Sequence, residues 1–291
     1  MVLIVKKISI LFVIPSLAFF TVIKIVPMLI AFIYSFTNWN GYSWNARFTG
    51  LNNYIKLFSD KSTLHSIYVS LIFVIITVAA TNVLALFFAV MLKESGRLTN
   101  FYRSAIFIPV IISPVAVAYI WKVIFSYNGF LDFVLKNLGI IDKHVGWLDN
   151  PKIALYSVCL VAVWRSVGFH MVIILAALQT IPKELYESSD IDGCSPLEKF
   201  RHVTLPLIRP GITISVVLST IGNLKQYDLV SVLTDGGPLE ATQILSIKIV
   251  HEGFRYSQNG YASAISFILF LMILLITAFQ NGILKRKEVE Y

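Results

Sequence analysis

Long apolar stretches alternate with shorter polar segments along the whole of the 291-residue chain. A helix needs about 20 mostly apolar residues to cross a bilayer, and six stretches reach that length. They lie at residues 8–36, 67–92, 104–125, 153–178, 211–233 and 262–283. The segments between them are too short to fold as separate soluble domains. The pattern therefore predicts an all-α membrane protein with six transmembrane helices.

The composition agrees with a membrane protein. Hydrophobic residues make up 57% and charged residues 14%, and the mean hydropathy is +0.76. In soluble domains, about 45–50% of the residues are apolar and about 25% are charged. These values exclude a disordered chain or a nucleic-acid-binding module and argue against an ordinary soluble enzyme. The first stretch follows Lys6 and Lys7, as in a signal peptide, but its apolar run exceeds the roughly 7–15 residues of such a segment. We expect an uncleaved first helix.

The distribution of basic residues predicts the orientation. The formal net charge is +8, and in membrane proteins Lys and Arg concentrate in the cytoplasmic loops. Outside the predicted spans, 12 of them lie on the side that holds both termini and 8 on the other. We therefore expect a multi-pass protein of the cytoplasmic (cell) membrane, surrounded by lipid, with both termini in the cytoplasm. Nucleic acid is not an expected partner.

The loop at residues 179–210, on the predicted cytoplasmic side, contains its own secondary-structure signals. A short helix is expected at 183–190, and it should stop near Gly193, a residue that readily adopts positive φ. Ser195 precedes a proline and, three residues on, a glutamate, which is the pattern of a capping box. A second short helix should begin there and end before Pro206.

This loop is more acidic than its position suggests. Its five acidic residues outnumber its four Lys and Arg; the acids are Glu184, Glu187, Asp190, Asp192 and Glu198. One interpretation is an amphipathic helix that lies on lipid headgroups. An excess of acids fits an anionic lipid surface poorly, so a protein partner with a groove is the better interpretation.

The residues of this loop match a known motif. The segment Glu187-Ser-Ser-Asp-Ile-Asp192-Gly193, followed by Leu205-Pro206 and Pro210, resembles the Glu-Ala-Ala (EAA) loop of ABC importer permeases. Ser188 and Ser189 replace the two usual alanines but are also small. We call residues 179–210 the coupling loop from here on. Further matching segments occur in the expected order at residues 48–54, 181–186, 227–238 and 260–264.

Together these segments resemble the maltose-permease-like subunit of carbohydrate importers that take up disaccharides and oligosaccharides. The resemblance implies a type I ABC importer permease fold with a cytoplasmic coupling-helix loop. It implies a five-helix core at 67–282. Residues 1–66 before it would form a cytoplasmic N-terminus, the first transmembrane helix and an external loop, and residues 283–291 after it a cytoplasmic tail. It also implies three kinds of partner: a second, related permease in a heterodimer, an ATPase dimer, and an extracytoplasmic sugar-binding protein.

The chain has no Gly-x-x-x-x-Gly-Lys-Ser/Thr loop for binding nucleotide phosphates. We therefore expect a transport subunit rather than an enzyme, with no catalytic residue, metal site or cofactor of its own; ATP and Mg would be bound by the partner ATPase. By resemblance, the residues that couple this chain to the ATPase are Glu187, Ser188, Ser189, Asp192, Gly193 and Pro206.

Polar residues inside the fourth and fifth predicted spans are candidates for sugar binding, because polar groups in a membrane usually face a cavity or another helix. Register with the resembling permease points to Ser166, Phe169, Ser219, Asn223 and Gln226. Hydroxyl and amide groups beside an aromatic ring suit a sugar. The alternative is that these groups join helices to the partner permease. Arg165 and His170, in the same spans, are either substrate contacts or structural.

Other functions fit the sequence less well. An ion-driven secondary transporter would need acidic relays within the spans or inverted repeats, and Asp228, near a span end, is the only acid close to a span interior. A membrane enzyme would need a nucleophile–base pair or metal-ligand spacing, and neither is present. Within the importers, glycerol phosphate or another polyol derivative is the alternative substrate, and Arg165 would then pair with phosphate.

Overall fold

The computed structural model describes residues 13–43 and 45–284, and in this part of the chain the regular elements are helices; Thr37 and Phe48 form one isolated β-bridge. The helices are α1 (Val13–Tyr34), α2 (Asn52–Ser59), α3 (Lys61–Met91), α4 (Arg97–Ile111), α5 (Pro114–Ile124), α6 (Phe130–Asn137), α7 (Ala154–Gln179), α8 (Lys183–Ile191), α9 (Pro196–Leu207), α10 (Arg209–Leu224), α11 (Asp228–Leu233), α12 (Leu245–Val250) and α13 (Asn259–Leu284). The all-α prediction is confirmed for these residues.

Four of these helices are long and apolar enough to cross a membrane unbroken: α1, α3, α7 and α13. Two helix pairs also pass this test but are bent, α4 with α5 by 99° and α9 with α10 by 65°. The predicted number of six is reached when each bent pair counts as one span. The start of the first predicted span, residues 8–12, and most of the predicted tail, 285–291, lie outside the described residues.

The third predicted span, 104–125, is not one straight helix. α4 ends at Ile111, and Ile112 and Ser113 are extended, with ψ near 138° and 135°. Pro114 then opens α5. The ring of a proline clashes with a helical conformation of the preceding residue and is well tolerated in a first helical turn. The break therefore follows from Pro114.

The fifth predicted span, 211–233, has wrong limits. α10 ends at Leu224, and a separate short helix, α11, begins at Asp228. The residues between them are Lys225, Gln226 and Tyr227, which are polar or amphipathic. Instead of continuing the helical hydrogen-bond ladder, the carbonyl of Gln226 accepts a hydrogen bond from the Ser246 hydroxyl.

The described chain divides into two compact units that are discontinuous in sequence. The first unit combines the residues up to Leu64 with Lys248–Ile268, and the second combines His65–Ile247 with the residues from Leu269. The domain boundaries expected from resemblance, at 66/67 and 282/283, divide the chain by the order of its helices in the sequence, whereas the two compact units are defined by contacts in the fold. These expected boundaries stay a prediction.

The core of the second unit is formed by α3 and α7. Small residues of α3, Ala85 and Ala89, pack with Met171, Ile174 and Leu178 of α7, and all five are at most 7% exposed. Small side chains let membrane helices approach closely.

One glycine of α7 explains how closely α4 approaches the same helix. A Cβ at Gly168 would lie only 2.8 Å from the Cα of Phe107 in α4. The close contact between these two helices therefore requires glycine at this position.

A buried ion pair stabilises the first unit. Lys248 in α12 and Glu252 in the following π-helical turn are 7% and 8% exposed and lie 3.0 Å apart. Lys248 Nζ also donates to the Ser62 hydroxyl at 2.9 Å and lies 3.8 Å from Asp60. Partial burial would raise the pKa of Asp60, but hydrogen bonds from Thr63 and the Ser62 backbone, together with the Lys248 charge, outweigh it and lower that pKa.

Candidate functional site: the coupling loop and the polar interior

The coupling loop folds as two helices around a glycine corner, as expected. α8 spans Lys183–Ile191, and Gly193 follows with φ +74°. Ser195 caps α9 through a reciprocal capping box with Glu198, whose carboxylate accepts from the Ser195 N–H at 2.8 Å. These hydrogen bonds from Ser195 lower the pKa of Glu198. The predicted first helix, corner and capping box are confirmed.

The prediction that the second helix ends before Pro206 is wrong. α9 continues through this proline to Leu207. The turn before the proline is π-helical, and the N–H of Leu205 donates to the carbonyl of Phe200, five residues earlier. Proline removes a donor and crowds the previous turn of a regular α-helix, whereas a π turn has a different hydrogen-bond spacing. Pro206 therefore lies within the helix.

The expected coupling residues differ in exposure. Glu187, Ser188 and Asp192 are exposed, whereas Ser189 is buried and its hydroxyl donates to the Tyr186 carbonyl at 2.6 Å. A small residue at position 189 is therefore needed for packing, while its neighbours on α8 face outward.

Two apolar side chains accompany the exposed acids of the coupling loop. Ile191 and Leu197, on either side of the Gly193 corner, are 87% and 75% exposed. Exposed apolar groups rimmed by polar residues are typical of interaction sites. The corner therefore combines acidic and apolar groups on one short segment.

Side chains fix α8 against the rest of the second unit. The hydroxyls of Tyr186 and Thr204 lie 3.1 Å apart and join α8 to α9. The Lys93 ammonium lies 5.0 Å from the centre of the Tyr186 ring, within the range of a cation–π contact. Lys199 and Asp190 form an ion pair between the two helices. The loop is thus a shaped surface that displays Glu187 and Asp192.

A buried polar network joins α3, α7 and α10. Asn82 of α3 donates to the Ser219 hydroxyl at 2.9 Å and accepts from the Ser215 hydroxyl at 2.6 Å. Ser215 lies 3.0 Å from His170 Nδ1. All four side chains are at most 9% exposed. His170 therefore has a structural position between helices of this chain.

The predicted sugar-binding residues lie around this network but not together on one free surface. Ser219 belongs to it, and Asn223, one turn further along α10, donates to the Ser219 carbonyl at 2.8 Å. Ser166 lies 3.2 Å from the Thr81 hydroxyl, which neighbours Asn82. Ser219 thus joins helices within this chain. The alternative to sugar binding was that such groups join helices to a partner permease, and the contact seen here is of the same kind.

The two remaining predicted residues are placed differently. Phe169 is 43% exposed and contacts the His170 ring edge-to-face at 5.3 Å. Gln226 lies beyond the end of α10 and is therefore not inside the transmembrane helix in which the sequence placed it. As substrate contacts, all five residues stay a prediction.

Sequence reasoning missed Asn82 and Ser215. An amide in the middle of an apolar span is itself a signal of a buried polar contact, and Ser215 precedes Ser219 by one helical turn. Both signals were present in the sequence.

A buried carboxylate organises the segment between α5 and α7, and we call residues 126–149 the Asp132 loop. Asp132 is fully buried and accepts from the Trp147 indole at 2.9 Å, from the Asn128 N–H at 3.2 Å and from His144 Nδ1 at 2.5 Å. Burial alone would raise the pKa of Asp132, but these hydrogen bonds and the nearby imidazole outweigh it and lower that pKa. Within the described residues, no group of three or more His, Cys, Asp and Glu is arranged to hold a metal.

Comparison with known families decides the identity of the fold. A family model described as the inner membrane component of binding-protein-dependent transport systems matches residues 81–289, most of the chain. The chain belongs to this family. As an inner membrane component of such a transport system, it is a multi-pass membrane permease and not itself the ATPase.

Similar proteins span nearly its full length. The trehalose/maltose transport system permease of Thermococcus litoralis is 31% identical over 93% of this chain and 91% of its own. The sn-glycerol-3-phosphate transport system permease of Yersinia pestis is 31% identical over 95% and 94%. A bacterial ABC transporter that imports alginate, solved also with its alginate-pentasaccharide-bound periplasmic protein, superposes with a TM-score of 0.83 over 97% of both chains at 21% identity. This inner membrane component thus has the type I ABC importer permease fold.

Proposed function

We propose that this permease carries a neutral disaccharide or oligosaccharide across the cytoplasmic membrane, with both of its termini in the cytoplasm. A binding protein delivers the sugar outside, a second, related permease completes the pathway, and an ATPase dimer supplies the energy and binds the ATP and Mg. The observation that carries the proposal is the full-length similarity to the trehalose/maltose permease. Membership of the transport family agrees with it.

The coupling loop supports docking of an ATPase. Its corner presents exposed acidic groups, Glu187 and Asp192, next to exposed Ile191 and Leu197. A groove with basic and apolar walls would complement such a surface. The loop is tied to the membrane helices, because α9 continues into α10 with a 65° bend. A movement of the docked partner is therefore passed to a helix that contains Ser219 and Asn223.

The sugar pathway in this proposal passes Phe169 and Asn223, next to the buried polar network. Phe169 offers a half-exposed ring, and Asn223 an amide at the end of α10. A sugar needs donors and acceptors for its hydroxyls and an aromatic face for its C–H groups.

A charge reversal in α8 tests the coupling step. We expect Glu187→Lys to abolish uptake of a labelled disaccharide by proteoliposomes containing the complete complex, while insertion of this chain is unchanged, because a repelled like charge blocks docking in the groove. Asp142→Lys, an exposed reversal outside the coupling loop, is the matched control and should retain uptake. Normal uptake by the Glu187 variant would contradict the proposal.

Glycerol phosphate is a second candidate substrate on one specific observation. Arg165 lies in the middle of α7, and its Nε is buried with no hydrogen-bond partner among the described residues. A guanidinium pairs well with phosphate, and the Yersinia pestis permease is named for glycerol phosphate. Asp228 already lies within electrostatic range of Arg165, so we place the sugar first. Import of labelled glycerol phosphate that no disaccharide inhibits would reverse this order.

A further inference from the structure

A cavity next to the Asp132 loop takes no part in the polar interior described above. It measures about 450 Å³ and lies within the second unit. Its walls come from the end of α5, both ends of the Asp132 loop and the segment after α11. The residues that carry its chemistry are Lys122, Ser126, Tyr127, Asp149 and Thr234. The volume falls within the roughly 300–1,000 Å³ of small-molecule sites.

The lining has the mixture of groups that a sugar ring requires. Tyr127 is 75% exposed and offers an aromatic face, on which the C–H side of a pyranose can stack. Asp149 supplies a carboxylate that accepts from hydroxyls, and Lys122 an ammonium that donates to them. One positive and one negative side chain balance each other. The cavity therefore favours a neutral polyhydroxylated ligand over a phosphate or a carboxylated sugar.

The polar walls are held in place before any ligand arrives. Lys122 Nζ donates to the Val232 carbonyl at 3.1 Å, and an ammonium has two further donors. The Thr234 hydroxyl lies 2.7 Å from that of Thr242. The loop that carries Tyr127 and Asp149 is pinned by the buried carboxylate of Asp132. Sites whose side chains are fixed by neighbouring hydrogen bonds bind with less loss of entropy.

We propose that this Tyr127 cavity binds one neutral sugar unit of an oligosaccharide at the outer mouth of the permease, and so favours longer chains over short ones. The inference rests on the proposed function, because it assumes that the substrate is a saccharide and that the Asp132 loop faces outward. A saccharide is favoured over a docked protein segment because the cavity offers balanced charges around one exposed aromatic ring.

Competition between two sugars tests the chain-length preference. The complete complex in proteoliposomes imports an equimolar mixture of a labelled disaccharide and a labelled oligosaccharide of at least four units, delivered by binding protein loaded equally with each. We expect Tyr127→Ala and Asp149→Asn each to lower the ratio of long to short sugar imported about fivefold, the effect of one lost stacking or hydrogen-bonding contact. Disaccharide uptake alone should not change.

Matched controls separate the cavity from the surface in general. Tyr42 is as exposed as Tyr127, at 75%, and Asp142 is an exposed carboxylate of the same loop as Asp149. Tyr42→Ala and Asp142→Asn should leave the ratio unchanged. Capture of empty binding protein by the complex is measured for all four variants and should be equal to that of the parent.

Three outcomes would overturn the inference. An unchanged ratio in the Tyr127 and Asp149 variants would show that no sugar unit uses the cavity. Loss of uptake of both sugars, with weaker capture of empty binding protein, would assign the cavity to protein docking. If the parent complex imports neither sugar, the proposed function fails, and the cavity inference fails with it.

Discussion

The Asp132 loop and the coupling loop are both polar and both contain short helices, but they hold their shapes in opposite ways. The Asp132 loop is organised by one fully buried carboxylate, whose partners lie 4, 12 and 15 residues away in sequence. The coupling loop is organised by the capping box of Ser195, three residues long, and by the contact between Tyr186 and Thr204, and its acidic groups are exposed.

This difference separates a loop that fixes its own structure from one that displays its charges to a partner. A buried charge is tolerated only when it is fully hydrogen-bonded, and its loss costs far more than that of an exposed one. Exposed pairs contribute little to stability. Glu187 and Asp192 of the coupling loop are therefore available for recognition, whereas Asp132 is committed to stability.

The largest effect is expected at Asp132. Asp132→Asn keeps the size of the side chain but removes the charge that strengthens its hydrogen bonds to Trp147 and His144. Hydrogen bonds to charged groups contribute about 1.5–3 kcal/mol each, so local opening of the loop should become easier by about 3 kcal/mol. Amide hydrogen exchange across residues 126–149 should accelerate about 100-fold.

Asp142→Asn is the control for this experiment, because Asp142 is an exposed carboxylate of the same loop. It should change exchange by less than about threefold, as is usual for exposed charges. Equal effects of the two variants would mean that burial does not distinguish the Asp132 loop, and the comparison with the coupling loop would fail.

The sequence was sufficient for features that depend on near neighbours. Hydrophobic length predicted the number of spans when each bent pair counts as one, and spacing predicted the capping box at Ser195 and the corner at Gly193. The rule for residues before proline predicts the break at Pro114, but the span 104–125 was assigned from its hydrophobicity alone. The helix through Pro206 was not readable, because it depends on a π turn in the preceding residues.

The role of Asp132 could not be predicted in the same way. Its partners are distant in sequence, and nothing local distinguishes it from exposed Asp142. The indole of Trp147 donates to this carboxylate from 15 residues away, a contact that no local pattern in the sequence indicates. The fold is needed to bring such groups together.

Acid should break the hydrogen bonds that organise the Asp132 loop. The pKa of Asp132 is lowered in the folded protein, so its stabilisation is present above the ordinary value of about 3.9 and is lost as the pH falls through the lowered pKa. Tryptophan emission of the purified complex should shift with a midpoint below about pH 3.9. Trp147→Phe should remove this shift, because Trp147 is the ring bonded to the carboxylate. A shift that persists in Trp147→Phe would contradict the assignment.

The smallest effect is expected in the coupling loop, at Ser195. Ser195→Ala removes the cap of α9 and should cost about 1 kcal/mol, which corresponds to an approximately fivefold faster exchange of the amides at 195–199. Protection of α8 should not change, because Tyr186 and Thr204 still join the two helices. Ser188→Ala, an exposed serine of α8, is the control and should be neutral, since alanine is the better helix former. Exchange that spreads through the whole loop would show that it folds as one cooperative unit, like the Asp132 loop, and would remove the distinction between them.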